Sequence, residues 1–191
     1  MKLNLKDKIL FGLFLLGLIY ILSPGPIGIS DFTPIPNSLK SDEPGDTVQV
    51  PNISAYFSNL DRAGITKFYK DDYRKKFIFG WIPPETLNYS PINALQYIRE
   101  RQEESTFLEE YVYPLRGSIF VNGYEPSVDK EIKKFTKPVS GGPMEVHGQY
   151  FTSKTTLRFY PAPWHVSLIS YIGIWVMSLS LFKISKEAFK E

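Results

Sequence analysis

The chain has 191 residues, a length that fits one domain plus short membrane anchors. It contains no cysteine, which excludes disulfides, thiolate metal sites and a cysteine nucleophile within this sequence. Six of its 22 basic and three of its 20 acidic residues flank two apolar blocks, which leaves 16 basic and 17 acidic residues between them. A middle part so close to neutral disfavours a nucleic-acid partner, because such proteins normally carry a basic surface.

The first apolar block spans residues 9–22 and contains no charge. Its 14 residues cover only about 21 Å as a helix, less than the roughly 30 Å of bilayer hydrocarbon. The tract continues less strictly to Ile29, so we predict that residues 1–29 form a cytoplasmic stub and a transmembrane anchor. A signal peptide is the alternative, although no small-x-small cleavage site stands out after the Ser-Pro-Gly-Pro sequence at 23–26.

Residues 30–47 contain three prolines and show neither helical nor strand periodicity, so we predict an extended linker. Residues 48–163 are then predicted to form the folded domain. Its expected elements are helices at 61–75 and after Ser90, and strands at 53–57, 77–82, 107–113 and 117–122, followed by a hairpin of strands 144–151 and 154–160. This order predicts an α+β fold, with a small, mostly antiparallel sheet, two helices and a transmembrane helix at each end.

The second apolar block, residues 166–182, has 17 residues without a charge. Trp164 and His165 precede it and Lys183 follows, as is typical of the two interfaces of a span. We therefore predict a transmembrane helix at 164–183 and a cytoplasmic tail at 184–191. Because lysines flank the outer side of both blocks, the positive-inside rule predicts that residues 30–163 lie outside the cytoplasm.

The path through Tyr56, the helix containing Phe68 and Tyr69, and Gly80–Trp81 resembles small α+β domains of membrane-anchored bacterial envelope proteins. This resemblance implies a bacterial plasma membrane, but it includes no chemical motif, so no residue role is carried over.

Candidate catalytic residues are limited to carboxylates. Glycan-cleaving enzymes use two carboxylates about 5 to 9 Å apart. The acidic residues beside tyrosines that suit such a pair are Glu103, Glu104, Glu109 and Glu110. Adjacent acids in a strand point to opposite faces, which weakens this hypothesis. The two histidines, His147 and His165, form no metal-binding motif, so we predict neither a metal nor a cofactor.

Aromatic side chains offer a second hypothesis. Those that are not needed for the core would create a binding surface on the sheet. The tyrosines predicted to contact a partner are Tyr111, Tyr113, Tyr124 and Tyr150. We therefore expect an interaction or assembly protein without catalytic activity, embedded in the lipid bilayer and bound to a membrane or envelope protein. An envelope enzyme that acts on a glycan or lipid-linked substrate through paired carboxylates is the alternative.

Overall fold

The computed structural model describes residues 4–43, 46, 51–98, 105–125 and 143–189. The helices are α1 (Leu5–Leu22), α2 (Arg62–Lys75), α3 (Ala94–Ile98) and α4 (Trp164–Ala188). The strands are β1 (Leu39–Lys40), β2 (Ile53–Ser58), β3 (Glu85–Tyr89), β4 (Phe107–Tyr113), β5 (Gly117–Tyr124), β6 (Met144–Val146), β7 (Gln149–Phe151) and β8 (Ser153–Pro161).

The chain divides into two compact units. The helical unit comprises Met1–Pro24, Pro114–Arg116 and Ala162–Glu191, and it contains α1 and α4. The mixed unit comprises Gly25–Tyr113 and Gly117–Pro161, and it contains the sheets.

Among the described residues, α4 is the helix that is long and apolar enough to cross a membrane, judged by length and composition. Although α1 has 18 residues, Lys6, Asp7 and Lys8 occupy its start, so its uncharged part is shorter. The sequence predicts two spans, whereas the structure supports one candidate, at α4.

The two helices of the helical unit pack through aromatic side chains. The Phe14 ring lies 5.6 Å from that of Tyr171 and 5.7 Å from that of Trp175. The Tyr171 hydroxyl donates to the carbonyl oxygen of Phe14 at 2.9 Å. Gly17 faces the Tyr171 ring so closely that a Cβ atom there would overlap it. The absence of a side chain at Gly17 therefore permits this close approach.

The turn Pro114–Arg116 completes the helical unit at the end of α1. The Arg116 guanidinium donates to the carbonyl oxygens of Ile21 and Ser23, and the Tyr20 hydroxyl donates to the Pro114 carbonyl at 2.8 Å. The last carbonyls of a helix lack partners within the helix and carry partial negative charge. A guanidinium at this position satisfies them.

The mixed unit is built on a six-stranded sheet with the order β1-β2-β8-β5-β4-β3, and every neighbouring pair is antiparallel. This confirms the predicted α+β class and the mostly antiparallel sheet. A separate two-stranded hairpin is formed by β6 and β7.

Helix α2 covers one face of the sheet and confirms the helix predicted at 61–75. Its N-cap is Asp61, whose Oδ1 atom accepts from the Gly64 amide at 2.8 Å. Helical spacing then directs Ile65, Tyr69 and Tyr73 into the core, where all three are fully buried.

The opposite face carries α3, which follows a 3₁₀ turn at Pro91–Asn93. Ala94 and Ile98 pack against Ile53, Leu108 and Phe120 in one apolar cluster. Consecutive side chains of a strand point to opposite faces of the sheet, so along β4 and β5 one residue faces α2 and the next faces α3.

The strand predicted at 77–82 is instead a compact turn. Its backbone bonds are local: the amides of Phe77, Gly80 and Ile82 donate to the carbonyls of Arg74, Phe77 and Phe79, respectively, at 2.9 to 3.3 Å. A Cβ atom at Gly80 would overlap the Arg74 carbonyl, so glycine permits this tight path. The strand of this region is β3, which begins after the two prolines.

The hairpin predicted from strands 144–151 and 154–160 is also different. Strand β6 pairs with β7, whereas β8 pairs with β2 and β5 inside the large sheet. The hairpin turns at His147 and Gly148, with φ of 51° and 73°. Two consecutive positive φ values are typical of the tight turns that join adjacent antiparallel strands.

Residues 30–47, predicted to be an extended linker, contribute to the mixed unit where they are described. Phe32 and Ile35 are buried, and β1 pairs with β2. The Thr33 amide and hydroxyl both donate to the Asp72 carboxylate, at 2.9 and 2.8 Å. A few apolar side chains and one carboxylate on α2 therefore hold this proline-containing segment.

The contact at Gly17 predicts a specific packing defect. We expect Gly17→Ala to lower the free energy of unfolding by about 1–3 kcal/mol, because the added methyl group overlaps the Tyr171 ring. Thermal unfolding in detergent micelles measures the change.

Gly12→Ala is the matched control, since no atom lies within 4 Å of a Cβ at that position of α1. In a Tyr171→Ala background, Gly17→Ala is expected to leave the free energy of unfolding unchanged. An equal decrease in both backgrounds would show that overlap with the Tyr171 ring is not the cause.

Candidate functional site

Alternation along β4 separates the two adjacent glutamates that were predicted to form an acid/base pair. Glu109 lies opposite Val121 of β5 and bonds to Arg62 of α2. Glu110 lies opposite Phe120, which belongs to the α3 layer. Their carboxylates therefore lie on opposite faces of the sheet. Glu103 and Glu104 lie outside the described residues.

The Glu109 carboxylate is buried and fully engaged. Its Oε1 atom accepts from Arg62 Nη2 at 2.8 Å and from Nε at 3.2 Å. The Tyr111 hydroxyl lies 2.8 Å from its Oε2 atom and 3.0 Å from the Thr66 carbonyl, so the phenolic proton is shared between two acceptors. The guanidinium also lies 5.2 Å from the centre of the Phe107 ring.

The hydrogen bonds around Glu109 have an electrostatic consequence for Tyr111. Burial, followed by the hydrogen bond to the Glu109 carboxylate, raises the pKa of the Tyr111 hydroxyl well above its ordinary value. This tyrosine stays protonated under physiological conditions and acts as a donor that fixes the orientation of Glu109.

A second buried carboxylate, Glu125, lies at the start of α2. Its side chain accepts from the Arg62 amide, and its own amide donates to Thr106 Oγ1 at 3.2 Å. Only 5% of Glu125 is exposed, and its Oε1 atom has no hydrogen-bond partner in the described part of the chain. Burial raises the pKa of this carboxyl above its ordinary value, and the nearby charge of Asp61 adds to the increase.

Arg62 thus contacts both carboxylates, Glu109 through its guanidinium and Glu125 through its backbone amide. We call Arg62, Glu109, Tyr111 and Glu125 the Arg62 cluster. Sequence reasoning missed Glu125, because a single acid after a strand has no periodic signal. Only the packing of α2 against β4 and β5 brings these residues together.

The other face of the sheet holds an aromatic group around Glu110. The Tyr89 hydroxyl donates to Glu110 Oε2 at 2.5 Å, and this bond raises the pKa of Tyr89 to about 12. The Tyr97 ring stacks on that of Phe120 at 4.9 Å and lies 5.1 Å from that of Tyr89. Glu110 therefore has a structural partner in Tyr89.

Arg158 lies on this same face, next to an aromatic ring. Its guanidinium is 4.6 Å from the centre of the Tyr160 ring, and the residue is mostly buried. Its Nε and Nη1 atoms meet no acceptor among the described residues. The guanidinium therefore has a cation–π contact with the Tyr160 ring.

The tyrosines predicted to contact a partner have different environments. Tyr111 and Tyr113 are 1% and 3% exposed, so their rings belong to the core rather than to a binding surface. Tyr124 is half-buried, whereas Tyr150 on β7 is 61% exposed. Of these four side chains, Tyr150 is the one presented to solvent. The two buried rings follow the same alternation that places Glu109 towards α2.

An open groove runs between α2 and the segment around residues 33–37, with a volume of about 650 Å³. Leu60 and Phe68 provide apolar surface, and Lys67 and Lys75 provide positive charge. Its remaining lining residues are Thr33, Pro36, Asn37, Gly64, Asp71 and Asp72. The volume suits a peptide segment or a small ligand. Sequence reasoning missed this groove, because one of its walls was predicted to be a linker.

Neither histidine belongs to a group of potential metal ligands in the part of the chain that the structure describes. In the ranges that the structure describes, no group of three or more His, Cys, Asp or Glu residues is arranged to hold a metal ion. His147 Nε2 lies 3.5 Å from Asp42 Oδ2 at an exposed turn, and His165 packs against Trp164.

Glu125 predicts a pH-dependent stability. Because its pKa is raised above the ordinary 4.5, the folded chain favours the protonated carboxyl, and stability falls as the pH rises from about 4.5 through the raised value. We expect Glu125→Gln to remove this loss and therefore to raise the free energy of unfolding at pH 7 above that of the unmodified protein. Chemical denaturation of the detergent-solubilised protein from pH 4 to 8 measures it.

Glu145→Gln on the exposed part of β6 serves as the matched control, and we expect its pH profile to follow that of the unmodified protein. Parallel profiles for Glu125→Gln and the unmodified protein would argue against a raised pKa at Glu125.

The Arg62–Glu109 pair predicts a second stability difference. Arg62→Met leaves a buried carboxylate without its cation, so we expect a loss of about 1–2 kcal/mol, moderated because the Arg62 side chain is half-exposed. Adding Glu109→Gln is expected to recover part of this loss, which a double-mutant cycle by denaturation measures.

Arg74→Met is the matched control, because the Arg74–Asp71 pair lies on the surface with both side chains about 40% exposed. We expect it to change stability by less than about 0.5 kcal/mol. A similar loss for both arginine variants would show that burial of Glu109 is not the cause.

Searches against models of protein families, curated proteins and solved structures find no match to this chain. The function is therefore inferred from the residues of this chain and their geometry.

Proposed function

We propose that this protein is a membrane-anchored interaction or assembly protein without catalytic activity. In this proposal α1 and α4 lie in the bacterial plasma membrane, and residues 30–163 lie outside the cytoplasm and bind another membrane or envelope protein. The observation that carries the proposal is the apolar surface of the two helices, which the rest of the protein leaves uncovered.

Helix α4 supports the proposal most directly. Ten of its large apolar side chains are at least 44% exposed, namely Val166, Ile169, Ile172, Ile174, Val176, Met177, Leu179, Leu181, Phe182 and Ile184. Exposed apolar area costs about 25 cal/mol per Å² in water, whereas lipid chains cover it without that cost. At 25 residues, the helix is about 37 Å long and exceeds the hydrocarbon thickness.

Helix α1 supports a second span when it is paired with α4. Its 18 residues cover about 27 Å, of which the uncharged residues 9–22 account for about 21 Å. Its exposed apolar residues are Leu5, Ile9, Leu10, Phe11, Leu13, Leu15, Leu16, Ile19 and Leu22. The charges of Lys6, Asp7 and Lys8 lie at one end, where they can reach the headgroups.

The distribution of lysines supports the orientation. Lys6 and Lys8 lie at the start of α1, and Lys183 and Lys186 lie near the end of α4. The positive-inside rule counts Lys and Arg near the ends of spans and gives acidic residues little weight. Both termini are then cytoplasmic, and the mixed unit is outside.

An interaction function agrees better with the carboxylates than the enzymatic alternative does. Glu109 is held by Arg62 and Tyr111, and Glu110 by Tyr89. A general acid or base needs a carboxylate that is free to exchange protons with a substrate. The groove along α2 instead offers an open surface, on which Lys67 and Phe68 suit a partner segment with acidic and apolar side chains.

The chain contains no cysteine, so single-cysteine variants test orientation and partner binding together. A membrane-impermeant maleimide is expected to label Gln149→Cys and Lys67→Cys in spheroplasts whose plasma membrane is intact. Ser185→Cys in α4 is expected to react only after the membrane is permeabilised. When Lys67→Cys carries a benzophenone maleimide, illumination is expected to yield a cross-linked species larger than the monomer.

The cross-linking control is Lys40→Cys on the short strand β1, because Lys40 is exposed and is not among the residues that line the groove. Labelling of Ser185→Cys in intact spheroplasts would overturn the orientation. A Lys67→Cys variant that stays monomeric after illumination, or cross-links no more than Lys40→Cys, would overturn binding at the groove.

A further inference from the structure

The turn between α2 and β3 presents apolar side chains to the outside. Phe77 and Phe79 point inwards and are buried, whereas Ile78 is 68%, Trp81 79% and Ile82 40% exposed. A soluble surface rarely concentrates a tryptophan and two isoleucines within five residues. We call Ile78, Trp81 and Ile82 the apolar turn.

The apolar turn is held rigidly by the core beneath it. The Phe77 ring lies 4.7 Å from that of Tyr113 and 4.9 Å from that of Phe79. The Tyr113 hydroxyl donates to the Ile82 carbonyl at 2.6 Å. The exposed side chains are therefore presented by a fixed backbone, which reduces the entropy lost when they bind a surface.

The apolar turn lies at the end of the sheet where the chain leaves and re-enters the mixed unit. The chain leaves this unit for the helical unit after Tyr113 and after Pro161, and it returns at Gly117. Gly117 is the register partner of both Tyr113 and Pro161, so these three crossings lie side by side at one end of the sheet. The contacts of Tyr113 with Phe77 and Ile82 place the apolar turn at that same end.

We propose that Ile78, Trp81 and Ile82 insert into the headgroup region of the bilayer and attach the mixed unit to the membrane surface. The proposal rests on the proposed membrane anchoring, because α4 begins three residues after Pro161 and, as a span, keeps this end near the lipid. Covalent continuity with α4 therefore favours lipid as the occupant.

The side-chain chemistry agrees with a lipid surface. Tryptophan is enriched at membrane interfaces, since its ring is largely apolar while its N–H group can bond to headgroups or water. Lys75, the last residue of α2, is exposed just before the apolar turn and supplies a cation for anionic headgroups. Trp164 provides a second interfacial tryptophan at the start of α4.

Fluorescence quenching in the full-length chain tests the proposal. Trp81 is the single tryptophan left by Trp164→Phe and Trp175→Phe. The matched control replaces all three tryptophans with phenylalanine and adds Tyr150→Trp. Tyr150 is 61% exposed and precedes Ser153, at the opposite end of β8 from Pro161. Both chains are reconstituted into vesicles of phosphatidylcholine and phosphatidylglycerol that contain brominated phosphatidylcholine.

We expect bromine near the headgroups to quench Trp81 at least threefold more than the Tyr150→Trp control, with emission shifted to shorter wavelength. Ile78→Ser with Ile82→Ser is expected to reduce the quenching of Trp81 by at least half. Equal quenching of Trp81 and the control would overturn the proposal. A short-wavelength emission without quenching would also overturn it, because a protein surface would then cover Trp81.

Failure of this proposal is distinguishable from failure of the membrane anchoring. The labelling of Ser185→Cys reports the orientation of α4 independently of Trp81. If Ser185→Cys is protected in intact spheroplasts but Trp81 is not quenched, the insertion of the apolar turn into the headgroups is overturned, while the membrane anchoring stands.

Discussion

The alternation of side chains along β4 is the constraint on which the mixed unit depends. Phe107, Glu109, Tyr111 and Tyr113 face α2, while Leu108 and Glu110 join the layer of α3. A tyrosine placed in the core must find an acceptor for its hydroxyl, and the hydroxyl of Tyr111 reaches Glu109 and Thr66 while that of Tyr113 reaches Ile82. A shift of one residue in this strand would move every one of these groups to the wrong face.

The same alternation explains why Glu109 and Glu110 have different partners. Glu109 lies within reach of Arg62 at the first turn of α2, and the backbone of the same turn also receives Glu125. One carboxylate is neutralised by a guanidinium, whereas the other is buried with less compensation and has a raised pKa. Two carboxylates with such different environments resemble an acid/base arrangement, but the bonds to Glu109 occupy the oxygens that a substrate would need.

The apolar surfaces support the proposed membrane location. The exposed sides of α1 and α4, together with the apolar turn, are unfavourable in water but compatible with a bilayer and its interface. If the helices and the apolar turn both contact lipid as proposed, the mixed unit loses rotational freedom, and this loss lowers the entropic cost of binding a partner in the same membrane.

Local patterns in the sequence determined the helix at 62–75, the strands β4 and β5, and the charge-free length of α4, because helical and strand periodicities are visible within short windows. Hydrophobic content also suggested a span at α1, but the charges at its start shorten the uncharged part. The turn at 77–82, the pairing of β8 with β2, and the packing of Phe32 and Ile35 were not predictable in this way. Tertiary structure alone decided that Glu109 and Glu125 meet at Arg62, that Tyr111 and Tyr113 are buried, and that Trp81 remains exposed. Each of these outcomes depends on which distant residues pack together and on whether buried polar groups find partners. Local periodicity encodes neither the long-range packing nor the pairing of polar groups.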